Sequence, residues 1–361
     1  MTTARPLVVA RDGDLLDDLL RLAAAAGCEV ERAPDATAVR QRWTTAPLVL
    51  LDGYAATDCA AGALPRRHGV LVFCSGEPPP PVWQAAVAVG AERVLALPAA
   101  ESWLISRFAD AIESPGPVVG RILAVCAGRG GAGASVLAAA VAAAAAHRGS
   151  RTLLVDCDPH GGGLDLLLGI EERQGPRWPV LALTGGRVAA ASLHATLPTV
   201  QLGDAALTVL SCDRSGKGPS PAAVAAVLEA GRRAGDTVVC DLPRYPTDAA
   251  LTVLGRADLT VLLVPAEVRA CAAASGVARA ALEHGARLGL LVRGPAPGGL
   301  TPADVATALD LPLLAATRPE PGLERALDRG RLPLRRRGPL AGAARAVLTA
   351  ADRAEPMGGA A

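Results

Sequence analysis

The segment from Ile122 to Ala146 limits the fold of this chain more than any other. It reads ILAVCAGRGGAGASVLAAAVAAAAA: an apolar strand, a glycine-rich loop, a serine and a long alanine-rich helix. Glycines let such a loop turn tightly and direct backbone N–H groups at an anion, and the dipole of the following helix adds to the attraction. The pattern therefore predicts a phosphate-binding loop in an α/β domain. The predicted phosphate-binding residues are Gly130, Gly131, Ala132, Gly133, Ala134, Ser135 and Val136.

The loop lacks the lysine that usually precedes its Ser or Thr. Against the pattern KGGxGK[S/T], the chain reads RGGAGAS from Arg129 to Ser135, so Ala134 stands in the lysine position. Lys217 is the one lysine of the chain, and such a codon bias toward arginine explains Arg129 but not Ala134. Loss of a positive charge beside a developing phosphoryl charge commonly costs about 3 kcal/mol of transition-state stabilisation. We expect nucleotide binding to survive on the backbone N–H groups, and ATP hydrolysis to be weak or absent.

Three later segments extend the pattern. They are LLVDCDPHGGGLDLLLG (Leu153–Gly169), TVVCDLPR (Thr237–Arg244) and ADLTVLLVPAEVRA (Ala257–Ala270). In order, they match a switch segment VDxDxxxGxLD, a Walker B strand and the strand–helix pair that follows it. With the glycine-rich loop, they make residues 120–350 resemble the ParA/MinD superfamily of deviant Walker A ATPases.

The resemblance implies roles for individual side chains, with ATP and Mg²⁺ as cofactors and a nucleotide-sandwich homodimer as the active form. Arg129 would reach across that dimer to the partner's phosphates, and Asp158 would orient the attacking water. Ser135 and Asp241 would serve Mg²⁺, with Asp156 beside the metal. Hydroxyl and carboxylate oxygens are the hard ligands that this cation prefers.

Short apolar segments alternate with helical ones along the whole chain, which predicts parallel sheets covered on both faces. We expect a first domain over residues 1–112, a Pro/Gly-rich linker over 113–120, a second domain over 121–350 and a flexible tail over 351–361. The predicted strands are Leu7–Ala10, Leu48–Leu51, Val70–Phe73 and Arg93–Leu97, then Ile122–Ala127, Thr152–Asp156, Leu207–Ser211, Thr237–Asp241, Leu259–Pro265 and Leu288–Arg293. The prolines of Glu77–Pro81 predict a turn or a stiff loop there rather than a helix.

The segments PLVVARDGDLL, APLVLLDGYAA, GVLVFCSGE and GAERVLALPAA resemble, in order, those of a CheY-like receiver domain. The register places Asp52 at the phospho-acceptor position and Ser75 at the switch position. Leu97 replaces the lysine that would pair with a phosphoryl group, and Arg11 occupies one position of the acidic pair. We therefore expect a pseudo-receiver used for docking, in front of a doubly wound, mainly parallel P-loop domain.

Composition excludes several function classes. The formal net charge is +1 and aromatic residues make up 2% of the chain, which disfavours a DNA-binding field and aromatic platforms for single-stranded nucleic acid. No cysteine pair forms CxxC, which is typical of reduced, buried thiols in a cytoplasmic protein. Val136–Ala146 is too short to span a bilayer, and Leu340–Ala351 is too alanine-rich for a strong amphipathic anchor. We expect a cytoplasmic protein, with any membrane contact peripheral and on the inner face of the plasma membrane.

A degenerate receiver followed by a ParA/MinD-type domain is the arrangement of CpaE-like proteins, whose actinobacterial members are also called septum site-determining proteins. The resemblance implies a regulatory, ATPase-like switch that positions cell division or an envelope machine through nucleotide-dependent dimerisation, with a division or secretion-machine protein as partner. The alternative is a localisation factor for a Flp-pilus or type II-like secretion system that acts as a non-catalytic scaffold. A ParA-like DNA-partitioning role would use Arg331, Arg335, Arg336 and Arg337, a cluster that we expect to be a solvated edge.

Overall fold

A computed structural model describes residues 5–34, 36–62, 64–67, 69–112, 120–178, 188–330 and 332–353. The chain divides into two compact units, Met1–Pro115 and Gly116–Ala361. Gly120 is the one residue of the predicted linker that lies within the described part of the chain. Of the predicted tail, residues 351–353 continue the last helix, and residues 354–361 lie outside the described part.

The first unit is a parallel five-stranded sheet in the order β2-β1-β3-β4-β5, the doubly wound order of CheY-like domains. Its strands are β1 (Leu7–Val9), β2 (Glu31–Arg32), β3 (Val49–Asp52), β4 (Val70–Ser75) and β5 (Arg93–Leu97). Its helices are α1 (Gly13–Ala25), α2 (Ala36–Arg42), α3 (Gly53–Ala61), α4 (Pro80–Val89) and α5 (Glu101–Ile112). The predicted receiver-like architecture is confirmed.

Two local features of this unit differ from the sequence-based expectation. The segment Glu77–Pro81 was expected to exclude a helix, but α4 begins at Pro80. Proline at the first helical position is compatible with a helix because its missing N–H would have had no intrahelical partner there. The two-residue strand β2 is short and polar, so it carries no apolar signal, and its pairing with β1 alone makes it a strand.

The second unit contains an eight-stranded sheet in the order β13-β12-β11-β6-β10-β7-β9-β8. Its strands are β6 (Arg121–Ala127), β7 (Thr152–Asp156), β8 (Thr199–Leu202), β9 (Ala205–Leu210), β10 (Thr237–Asp241), β11 (Leu259–Pro265), β12 (Leu288–Arg293) and β13 (Leu313–Thr317). Its helices are α6 (Ala134–His147), α7 (Leu164–Leu168), α8 (Ala190–Thr196), α9 (Pro221–Arg233), α10 (Asp248–Leu254), α11 (Val268–Glu283), α12 (Pro302–Leu309), α13 (Leu323–Leu327) and α14 (Pro339–Arg353). All pairings are parallel except that of the edge strand β8 with its neighbour β9, so the predicted doubly wound fold is confirmed.

The core of the second unit places the glycine-rich loop at the centre of the sheet. In β6, Ile122 and Ala124 pack on one face, and Leu123 and Val125 pack on the other. The first strand of the unit, β6, lies between the later strands β11 and β10. Ligands of doubly wound sheets bind outside the carboxyl ends of the strands at such a change of strand order. The fold therefore puts the loop after β6 where a ligand site is expected.

Alanine makes the central helix possible. Eleven of the fourteen residues of α6 are buried, and small side chains let the helix lie close to the sheet and to α14. The apolar side of α14, which includes Ala344, Val347 and Leu348, is itself buried in this core. The apolar side of α14 is therefore already covered by the rest of the second unit. Within the described part of the chain, no helix is both long and apolar enough to cross a bilayer.

Candidate functional site

The loop between β6 and α6 has an open backbone surface. Gly131 and Gly133 adopt positive φ angles of 71° and 97°, a conformation that residues with side chains rarely adopt. A Cβ atom added at Gly130 or Gly131 would have no heavy atom within 4 Å. Gly133 precedes α6 without any side-chain cap, so the first N–H groups of this helix have no side-chain acceptor. The loop can therefore present its backbone donors to an anion.

Acidic side chains lie beside this loop because two strands end in register. Asp156 ends β7, Asp241 ends the neighbouring strand β10, and the two residues are direct partners in the sheet. Both are buried, with 2% and 3% of their surface exposed. Together with Ser135 and Asp158 they line a cavity of about 470 Å³. The structure thus brings together four of the predicted site residues, which come from separate parts of the sequence.

The carboxyl of Asp241 is held in an unfavourable environment for a lone negative charge. Burial raises its pKa well above the ordinary value, and the nearby Asp156 and Asp158 carboxylates raise it further. A hydrogen bond with the Ser135 side chain acts in the opposite direction. A divalent cation would compensate this negative charge, and a hydroxyl with a carboxylate is a suitable oxygen pair for Mg²⁺. Ser135 and Asp241 therefore fit the metal that the resemblance implies.

The Asp156 carboxylate, unlike that of Asp241, is surrounded by hydrogen-bond donors. Its two carboxylate oxygens accept hydrogen bonds from the backbone amides of Asp158, Leu164 and Cys212 and from the Ser211 hydroxyl, at 3.0–3.2 Å. These contacts hold the loop after β7 against β9. Within the described residues, no group of three or more His, Cys, Asp or Glu side chains has an arrangement that could hold a metal ion. Asp156 therefore acts here as the anchor of the loop that carries Asp158.

A second layer of contacts fixes the same loop. The Asp165 carboxylate, 3% exposed, accepts a hydrogen bond from Nε of Arg177 at 3.0 Å. The Ser211 hydroxyl lies 3.2 Å from the Asp165 amide, and the indole of Trp178 donates to the Asp156 carbonyl at 2.6 Å. Asp165 is the last residue of the VDxDxxxGxLD pattern, but nothing in the sequence indicates that Arg177 is its partner. The network ties the switch segment to the edge of the sheet.

Arg129, which was predicted to reach a partner subunit, has an intramolecular partner. Its guanidinium donates to a carboxylate oxygen of Glu267 at 2.9 Å, and both side chains remain more than a third exposed. Glu267 lies between β11 and α11, which places it next to the loop only through the pairing of β11 with β6. Sequence reasoning missed Glu267, because no sequence spacing links it to Arg129.

A second cavity, of about 740 Å³, also borders the glycine-rich loop. It is lined by Gly131, Ala132, Gly133 and Val136 from the loop and α6, and by Arg293 at the end of β12. The remaining predicted loop residue, Ala134, is 9% exposed and packs into the core at the start of α6. One cavity of the site is thus lined by Asp156, Asp158 and Asp241, and the other contains Arg293.

Asp52 of the first unit is engaged in main-chain contacts. One of its oxygens accepts from the Arg11 amide at 2.5 Å and from the Asp12 amide at 3.3 Å, and the other caps α3 through the Ala55 amide at 2.7 Å. The residue is 1% exposed, and Leu97, where a receiver has lysine, is buried. The carboxylate therefore serves as a structural cap.

The comparisons with known proteins agree with this geometry. Residues 9–118 match the family model "Rv3660c-like, CheY-like N-terminal domain", and residues 123–334 match "CobQ/CobB/MinD/ParA nucleotide binding domain". The Mycobacterium tuberculosis protein Rv3660c is 47% identical over 346 residues, which cover 95% of this chain and 97% of that protein.

Solved structures resemble the second unit in fold. A ParA family ATPase from Chlorobium tepidum TLS has a TM-score of 0.55 at 14% identity, covering 65% of this chain and 98% of that one. The septum site-determining protein MinD of Pyrococcus horikoshii OT3, complexed with Mg-ADP, has a TM-score of 0.54 at 20% identity, covering 65% and 96%. The predicted family resemblance is confirmed: this chain belongs to the CobQ/CobB/MinD/ParA family of nucleotide-binding domains, in the Rv3660c-like form that carries a CheY-like N-terminal domain.

Proposed function

We propose that this protein is a regulatory switch that binds ATP with Mg²⁺ and hydrolyses it slowly or not at all. The observation that carries the proposal is the open glycine-rich loop beside the Ser135–Asp241 pair. Backbone N–H groups of the loop and the start of α6 would hold the β- and γ-phosphates. When bound, Mg²⁺ supplies charge neutralisation between these phosphates, and Ser135 and Asp241 are the residues that would hold it, with Asp156 beside them.

Slow turnover follows from the residues around the loop. Ala134 has no charge to offer the transferred phosphoryl group, so the transition state lacks one of its usual stabilising contacts. Asp158 lines the carboxylate cavity and would orient a water for attack. Its position depends on the Asp156 anchor, since the Asp158 amide donates to that carboxylate at 3.0 Å. In this proposal Asp158 would still position the water, and the loop itself would lack the lysine charge at Ala134.

Dimerisation would couple nucleotide to a partner surface. Arg129 belongs to the loop and is more than a third exposed, which suits a residue that reaches a second copy across bound nucleotide. Its ion pair with Glu267 would have to open first. Exposed ion pairs contribute about 0–1 kcal/mol, so a bound triphosphate could outcompete the glutamate. The Arg129–Glu267 pair therefore supports a closed monomer and an open, dimer-competent form.

The cellular role that fits such a switch is the positioning of a division or envelope machine at the cytoplasmic face of the plasma membrane. A CheY-like unit with a capped Asp52 suits protein docking better than phosphoryl transfer. The apolar side of α14 is buried in the fold, which favours recruitment to the membrane by a division or secretion protein over direct insertion. Septum placement is the role we propose, as in the CpaE-like resemblance.

The test is a titration of the full chain with ATP and ADP in Mg²⁺ by calorimetry, with the oligomeric state followed by light scattering. We expect micromolar to millimolar binding and a dimer with ATP. Ser135→Ala should weaken binding in Mg²⁺ by about tenfold, as expected for loss of a hydrogen bond to a charged group. Ser275→Ala, a matched change of a hydroxyl that bonds within α11, should have no effect. No binding of either nucleotide to the unmodified chain would refute the proposal.

A scaffold without nucleotide is the second candidate, and Ala134 is the observation that favours it. In that case both units would serve as docking surfaces for a Flp-pilus or type II-like secretion machine, and the titration above would be flat. DNA partitioning has weaker support, because Arg335, Arg336 and Arg337 form a short exposed stretch on a chain of net charge +1. DNA retention at physiological salt, weakening steeply as salt is raised, would favour that role.

A further inference from the structure

We infer that Arg293 supplies bound phosphates with the positive charge that Ala134 lacks, an inference that rests on the proposed nucleotide binding. Arg293 is the last residue of β12, two strands away from β6 in the sheet. One of its terminal guanidinium nitrogens, Nη1, lies 3.4 Å from the position that a Cβ atom would take at Gly133. Gly133 is the residue immediately before α6. The guanidinium therefore lies at the phosphate-binding end of the loop, although it comes from a distant strand.

Arg293 has no counter-ion within the described residues. Its Nε is buried without a hydrogen-bond partner, and no described carboxylate forms an ion pair with it. Glu320 lines the same cavity, but one of its oxygens accepts the Leu340 amide at 2.9 Å. Arg129, on the same loop, is paired with Glu267. Arg293 is thus a half-buried cation that lines the ligand cavity without a protein partner.

Arg293 lies beside the N-terminus of α6, where a second positive charge needs a compensating anion. The N-terminus of a helix carries a partial positive charge, so a cation placed there is unfavourable unless an anion joins them. Arg293 and the first N–H groups of α6 converge on one region, and a phosphate between them would satisfy both. The planar guanidinium can donate two parallel hydrogen bonds to phosphate oxygens. The chemistry at this point therefore fits the β- or γ-phosphate of a nucleotide.

The experiment compares Arg293→Gln with Arg318→Gln in the full chain, by calorimetric titration with ATP, ADP and AMP in Mg²⁺. Arg318 lines the same cavity as Arg293, so the Arg318 variant is the control for an equal change of charge there. We expect Arg293→Gln to weaken ATP and ADP binding by roughly ten- to a hundredfold, as for loss of a charge-assisted contact. AMP, which lacks the outer phosphates, should change by about threefold or less, as should all ligands with the Arg318 variant.

The outcomes separate this inference from the proposed function. If the unmodified chain binds no nucleotide, the proposed function fails and the inference fails with it. If it binds and Arg293→Gln has no effect, or no more effect than Arg318→Gln, only the role of Arg293 is overturned. An equal loss of AMP affinity would place Arg293 at the nucleoside or the α-phosphate and would overturn its assignment to the outer phosphates. Arg293→Lys retains the charge and should keep most of the affinity, whereas a loss equal to that of the glutamine variant would show that charge is not its contribution.

Discussion

Replacement of Ala134 by lysine tests whether a missing charge alone limits nucleotide binding. Ala134 is the first residue of α6, and a lysine there would extend from the start of the helix toward the phosphates. A hydrogen bond to a charged group contributes about 1.5–3 kcal/mol, which corresponds to roughly a ten- to hundredfold gain in ATP affinity. Arg293 already lies near this point, so we expect the lower end of that range in the unmodified background. The full gain should appear when Arg293 is glutamine.

Without ligand, the same substitution should destabilise the protein. If the lysine ammonium and the Arg293 guanidinium lay about 7 Å apart, they would repel by roughly 2 kcal/mol at an effective dielectric constant of about 20, and salt would reduce this value. The helix N-terminus adds about 0.3–1 kcal/mol of the same sign. We expect a net cost of about 1–2 kcal/mol, or a decrease in Tm of roughly 2–8 °C for a unit of this size. Mg²⁺ and ATP should reverse the decrease, because the ligand binds the folded state.

Calorimetry and thermal denaturation with and without Mg-ATP measure both effects. Ala134→Met is the matched control, because it adds a side chain of similar length without charge to a position that is 9% exposed. Suppose that the lysine and methionine variants fold normally, and that the lysine raises ATP affinity neither in the unmodified chain nor in the Arg293→Gln chain. Charge is then not the factor that limits nucleotide binding. The loop would then be blocked to nucleotide, and the scaffold role would replace the switch.

Three further predictions address other residues. Asp241→Asn should remove most of the Mg²⁺ dependence of ATP binding, and an unchanged affinity difference between titrations with Mg²⁺ and with EDTA would contradict the metal-binding role. Glu267→Gln frees Arg129 and should favour the ATP-dependent dimer by about two- to fivefold, the size of an exposed ion pair. A weaker dimer in analytical sedimentation would argue against a role for Arg129 across the interface. Acetyl phosphate should add no phosphoryl group to Asp52 in mass spectrometry. Asp52→Ala should lower the free energy of unfolding by about 1–2 kcal/mol through loss of the helix cap, unlike Asp17→Ala at an exposed position of α1. A stable phosphoryl adduct on Asp52 would disprove the pseudo-receiver interpretation.

Elements with a local signal were predictable from the sequence. The central strands are short apolar runs buried on both faces, and β7, β10, β11 and β12 occupy the predicted ranges. Edge elements were not predictable in the same way. The strands β8 and β13, for example, were missed because part of each strand remains exposed, so neither carries a strong apolar pattern.

The residues of the candidate site also fall into those with a local sequence signal and those without one. The sequence by itself determined the glycine-rich loop, Ser135 and the carboxylates, because backbone conformation and strand-end positions depend on local residue types. Only the tertiary structure decided the partners: Glu267 for Arg129, Arg177 for Asp165, and Arg293 for the loop. Each of these contacts joins residues from different elements, and the order of strands in the sheet brings them together. Sequence spacing records none of that order, so the charges that surround the loop could be assigned only from the fold.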